Sequence, residues 1–124
     1  MQHSVDEYGR YDGRTLQELW PLVVDEVVRA VDPTEVILFG SVARGDDGPD
    51  ADIDLLVVFD HIEPVEKRAM MAFIRSAIET FAPVDVIVTD PAEIANRRDD
   101  VGSILYWSVR EGRSVFRRAS VRAV

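Results

Sequence analysis

Cysteine is absent from the 124 residues, which excludes a disulfide framework, a thiolate zinc site and a cysteine nucleophile. Histidine occurs only at His3 and His61, too few for a multi-histidine centre, so any metal must be held mainly by carboxylates. Lysine occurs once, at Lys67, and no Gly-x4-Gly-Lys-Ser/Thr run is present, which excludes a P-loop ATPase. Positive charge is scarce overall: 14 basic against 23 acidic side chains give a net charge of -9. Such a surface repels polyphosphate and argues against generic nucleic-acid binding. No apolar run approaches the roughly 18 to 20 residues that span a bilayer, and the stretch 1–14 is polar without an apolar signal core. A cytoplasmic protein with no membrane association is therefore expected. What is present, 47% hydrophobic and 30% charged residues, suits one compact domain.

Neither a repeat nor a low-complexity segment interrupts the chain. The stretch 1–14 reads as a flexible N-terminal arm, 15–116 as the folded domain and 117–124 as a C-terminal tail. Thr15-Leu16-Gln17-Glu18 has the form of a capping box. Leu16, Leu19, Trp20, Val23, Val24, Val27, Val28 and Val31 then recur at the helical period, with Pro21 expected to kink or restart the helix. Val36–Phe39, ending at Gly40, is too short for a helix and reads as a buried strand from about Glu35; Ile53–Phe59 is a second and Val84–Thr89 a third. Between the last two, Pro64 opens a helix whose expected inner face is Met70, Phe73, Ala77, Ile78 and Phe81. Asp90-Pro91-Ala92-Glu93 caps another helix. A further helix covers about 101–111 up to Gly112, and Ser114–Phe116 adds a short strand. The fold class is α/β (α+β), a small mixed sheet of three to four strands flanked by helices.

The spacing between strands decides where the carboxylates go. Val42–Ala51 is only ten residues, fewer than a parallel crossover needs, so the first two strands are antiparallel neighbours. Asp60–Pro83 is 24 residues and contains a helix, so the second and third strands are parallel. Side chains two apart on a strand share a face, so Asp52 and Asp54 point together and Asp85 comes alongside, close to Gly40 and Ser41. Three carboxylates at one sheet edge repel unless a cation or proton compensates. An all-oxygen donor set selects Mg²⁺, or Mn²⁺, which also hold substrate phosphates. The chemistry indicated is phosphoryl or nucleotidyl transfer with two ions, Asp52 and Asp54 bridging and Asp85 on the nucleophile side. Gly40 lets a triphosphate approach the backbone, Ser41 offers a hydroxyl and an amide, and Arg44 a guanidinium. A calcium loop starting at Asp50 would need Gly at 55 and Glu at 61, where the chain has Leu55 and His61. Asp46, Asp47 and Asp50, beside Gly48 and Pro49, read as solvated turn residues.

Gly40-Ser41, ten intervening residues, then Asp52-Ile53-Asp54 followed by Leu55-Leu56-Val57 resemble the GS-x10-D-x-D signature of the DNA polymerase β-like nucleotidyltransferase superfamily. Gly40 to Gly45 is similar to its minimal nucleotidyltransferase branch, and the likeness extends over Val36–Phe116, including Asp85 on its strand and the Glu111-Gly112 turn. Ala51 stands where the family commonly has Ser, which removes one polar contact and no motif carboxylate.

The resemblance implies a mixed sheet with flanking helices, ATP as substrate and two Mg²⁺. Asp52, Asp54 and Asp85 would be the metal ligands, with Gly40 and Ser41 on the phosphates. Many minimal members are similar to antitoxins that transfer AMP to a tyrosine of an all-helical HEPN ribonuclease toxin, and that is the function the resemblance implies here. Two alternatives accompany it. A non-catalytic antitoxin would mask its basic partner by binding, for which a charge of -9 is suited. A nucleotidyltransferase acting on a small molecule such as an aminoglycoside would use the same residues, although relatives of that kind usually carry a second domain.

Overall fold

The computed structural model describes residues 2–119. Helix α1 (Leu16–Val31) begins at the Thr15–Glu18 capping box, with both reciprocal bonds formed, and buries Leu16, Leu19, Val23, Val24 and Val27. Pro21, expected to kink or restart it, lies inside one uninterrupted helix. Its missing N–H removes a single bond, and the buried stripe on either side holds the element together.

Strand β1 (Glu35–Phe39) runs into a five-residue helix α2 (Gly40–Arg44), which Gly45 closes in a left-handed conformation. Strand β2 (Ile53–Val58) follows, then a single 3-10 turn at Pro64–Glu66 and helix α3 (Lys67–Ala77). Strand β3 (Val84–Thr89), helix α4 (Pro91–Asn96), helix α5 (Ile104–Glu111) and strand β4 (Arg113–Arg117) complete the order. The four strands form one mixed sheet in the order β3-β2-β1-β4. As the loop lengths require, β1 and β2 are antiparallel and β2 and β3 parallel; β4 is antiparallel to β1.

Alternation along the strands divides the core in two. Val36, Leu38, Leu55, Val57, Val86 and Val88 belong to the layer shared with α1 and with Ile74 of α3. Ile37, Phe39, Leu56 and Val58 face the other way, against Leu105 of α5 and Ile94 of α4. Of the inner face expected after Pro64, Met70, Ile78 and Phe81 do pack against this core, but Ile74, not expected there, is fully buried and Phe73 is 55% exposed. One residue turns a helix by about 100°, so a stripe centred on Ile74 leaves Phe73 outside. Phe81 has left the helix altogether, because the chain turns extended at Ile78. The last helix starts at Ile104 rather than near 101, where the Ser103 hydroxyl accepts from the Leu105 amide.

The segment 2–14 folds back on the domain. Tyr11 is in the core, with isolated bridges to Val5 and Arg14, and its ring meets Phe81 edge-on at 5.3 Å. His3 stacks on the same Phe81 at 4.5 Å. Arg117 ends β4, and residues 120–124 of the expected tail lie outside the described residues. Among the described residues no helix is long and apolar enough to cross a membrane.

Candidate active site

Asp54 is the second residue of β2, and its register partner on β3 is Asp85. Both side chains emerge on the face of Leu56 and Ile87, and Asp52, two residues earlier, turns the same way just before the strand begins. The three can each offer a carboxylate oxygen such that all three atoms lie within 4.8 Å of one another. Asp52 and Asp54 are half-buried and Asp85 is exposed. The convergence expected from the loop lengths is thus present at the end of the sheet where β2 and β3 start.

Crowding of like charge marks the cluster electrostatically. Burial, with the charges of Asp85 and Asp52, pushes the Asp54 carboxyl up to about 6, and the nearby Arg44 guanidinium pulls in the opposite direction. Asp52 is raised too, first by burial and then by a hydrogen bond and charge interaction with Asp85.

On the antiparallel side, Asp54 pairs with Phe39, the residue before Gly40. Gly40 has a φ of +75°, and a Cβ placed there would collide with Asp54 Oδ2 and stand 3.2 Å from its Cγ. Glycine is required twice at this position, once by the backbone and once by the carboxylate. Ser41 follows, and its carbonyl accepts from the Asp46 amide at 3.1 Å, which folds the chain back after α2. Arg44 is drawn between two carboxylates: Nε lies 3.2 Å from Asp46 Oδ2, and Nη1 lies 3.5 Å from Glu111 Oε2.

Sequence reasoning missed three contacts around the site, those of Glu111, Asp46 and Asp47. Glu111 reaches the site only because α5 ends beside α2, and no local signal announces that. Asp46 and Asp47, expected to be solvated turn residues, are respectively bonded to Arg44 and to the Gln17 amide. Asp90 is a helix cap as expected: Oδ1 accepts from Glu93 N at 2.9 Å and Oδ2 from Ile62 N at 3.0 Å, at the opposite end of β3 from the triad.

A family model described as "Nucleotidyltransferase domain" matches residues 18–108, a span containing every carboxylate of the cluster. The chain belongs to the nucleotidyltransferase domain family. The fold agrees: a crystal structure of a candidate nucleotidyltransferase from Sulfolobus solfataricus is similar over 83% of this chain and 81% of that one, with a TM-score of 0.59 and 29% identity. No match was found among the curated proteins compared. The site of this nucleotidyltransferase domain fits the divalent metal typical of its family. It offers an all-oxygen donor set, and its three clustered carboxylates repel one another until a cation is bound.

Proposed function

We propose that the chain is a Mg²⁺-dependent protein adenylyltransferase that moves AMP from ATP to a hydroxyl, a tyrosine in the first instance, of a partner protein. The partner class we assign is a HEPN ribonuclease toxin, which this chain would neutralise as an antitoxin. The observation that carries the reading is the cluster of Asp52, Asp54 and Asp85 oxygens within 4.8 Å, beside a glycine whose missing side chain leaves room for Asp54. The family match supports nucleotidyl transfer; the protein acceptor rests on the resemblance of Gly40–Gly45 to the minimal branch.

In this scheme Asp52, Asp54 and Asp85 hold two Mg²⁺, which would supply charge neutralisation at the phosphates and a more nucleophilic acceptor oxygen. The chain's own residues do the remainder. The Gly40 backbone and Ser41 receive the triphosphate, and Arg44, held between Asp46 and Glu111, turns its guanidinium to a phosphate oxygen. The acceptor hydroxyl attacks the α-phosphorus in line; a P–O ester bond forms, the bond to the β-phosphate bridge breaks, and pyrophosphate leaves with the electron pair. Asp85, the exposed member of the cluster, would assist by taking the hydroxyl proton. Orientation and electrostatics account for most of the acceleration.

The test is intact-mass measurement of the protein encoded beside this chain, and of the chain itself, after incubation with ATP and Mg²⁺. A gain of about 329 Da per AMP, the increment expected for metal-assisted adenylyl transfer, is the supporting result if it is lost in the Asp52→Asn/Asp54→Asn variant. Tight association of the two proteins with no mass gain would refute the enzymatic reading.

A further inference from the structure

We propose that Gln17, a residue of α1 outside the motif, is a positioning residue for the nucleotide-binding turn Gly40–Arg44; the inference rests on the nucleotidyl-transfer reading of that turn. A five-residue helix has no stability of its own in water and keeps its geometry only through what holds it. Val42 anchors it from below, with 1% of its surface exposed. From above, the Gln17 side-chain amide donates to the Val42 carbonyl and to Asp47 Oδ1, each at 2.8 Å. One nitrogen therefore ties the helix and the loop after it to α1 with both of its N–H bonds.

Gln17 is suited to this by its own rigidity. It is the second residue of α1, directly inside the Thr15–Glu18 capping box, so its backbone is fixed by two reciprocal bonds. The Val42 carbonyl it grips also accepts from the Gly45 amide at 3.2 Å, and the next bond, Asp46 amide to Ser41 carbonyl, closes the turn. Releasing the amide frees the stretch that sets where Gly40 stands against Asp54. A nucleotide then has to order that turn as it binds, which weakens affinity while the geometry of the bound state is unchanged.

The experiment compares the wild-type chain with Gln17→Ala, Gln17→Glu and Gln17→Lys. Hydrogen exchange is read on the nucleotide-free proteins, and binding of the magnesium complex of α,β-methylene-ATP is read by calorimetry. Alanine is a good helix former at an exposed position, so the fold and its melting cooperativity persist. Exchange at the Gly45 and Asp46 amides becomes faster in Gln17→Ala, with α1 and β2 unchanged, and analogue binding weakens about 3- to 10-fold. Gln17→Glu, an acceptor facing two acceptors, is at least as impaired, and Gln17→Lys, which keeps a donor, returns to within about twofold. In a transfer assay KM for ATP rises by the same factor while kcat holds. Unchanged exchange across 41–47 in Gln17→Ala would overturn the inference, as would faster exchange with unaltered affinity. A wild-type chain that binds no analogue refutes the nucleotidyl-transfer reading itself and, with it, the affinity role.

Discussion

The Asp54 carboxylate occupies the space into which a side chain on Gly40 would project. The two residues are brought together by the antiparallel pairing of Phe39 with Asp54, so the glycine of the motif is a steric partner of its second aspartate as well as an approach for phosphate. Gly40→Ala is expected to displace that carboxylate and to strain a backbone at φ +75° by about 1–2 kcal/mol. AMP transfer falls by about 100-fold or more, since small misplacements at a reacting centre have effects of that size. The melting temperature and the transfer rate, measured together, check both halves.

Asp54 also makes stability depend on pH in a definite sense. Its folded-state value of about 6 lies above the ordinary 3.8, so the folded protein holds this proton more tightly than the unfolded chain does. In the metal-free protein its stabilising contribution is fully present below pH 4 and is lost as pH rises to about 6. Urea melts of wild type and Asp54→Asn in EDTA, subtracted at each pH between 4 and 8, isolate this term from other carboxylates. The variant is expected to be the more stable of the two above pH 6, to lose most of the stabilisation that Mg²⁺ confers on wild type, and to transfer AMP at least about 100-fold more slowly.

Asp90 behaves in the opposite way. Bonds from the Ile62 and Glu93 amides hold its carboxyl below the usual range, so it contributes stability above about pH 4 that is lost as pH falls through its folded value. Asp90→Ala removes the cap of α4 and leaves the amide of a buried residue, Ile62, without its acceptor. The expected cost is about 2–4 kcal/mol by denaturant melts. Asp90→Asn, which retains one acceptor oxygen, costs roughly half of that. Transfer per folded molecule is unaffected in both, because this end of β3 is opposite the carboxylate cluster.

Catalysis and masking separate in the triple variant Asp52→Asn/Asp54→Asn/Asp85→Asn. If the proposed HEPN partner is the acceptor, the variant is expected to bind it with affinity within about threefold of wild type, the surface outside the site being untouched, and to leave its nuclease active at full occupancy. Silencing by the triple variant at equal occupancy would show that covering the partner is sufficient.

Much of the fold was legible because the signals are local. The capping box at Thr15, the strand runs ending at Gly40 and Thr89, and the Asp90 cap are each written within a few residues. Loop length carried the topology: ten residues force an antiparallel neighbour and 24 admit a crossover helix. Phe73 was misread because the buried stripe is centred one residue on, at Ile74, and Phe81, which does pack on the core, was assigned to a helix that stops at Ala77 because apolar spacing alone does not say where a helix ends. Tyr11 had no signal at all. A lone aromatic in a polar arm is buried only if the arm folds back, which depends on Phe81, seventy residues away.

The residue types and spacing of Gly40, Ser41, Asp52, Asp54 and Asp85 were determined by the sequence by itself, and with them the donor chemistry and the direction in which each strand must run. Their meeting is a matter of strand register, which alternation and loop length already constrain. What only the tertiary structure decided is what surrounds them: Arg44 held between Asp46 and Glu111, and α2 tied down by Gln17. The Arg44–Glu111 pair and the bonds from Gln17 to the Val42 carbonyl and to Asp47 join segments far apart in sequence, and their existence depends on how α1 and α5 pack beside α2. No local pattern encodes that packing, because it follows from the balance of the whole core.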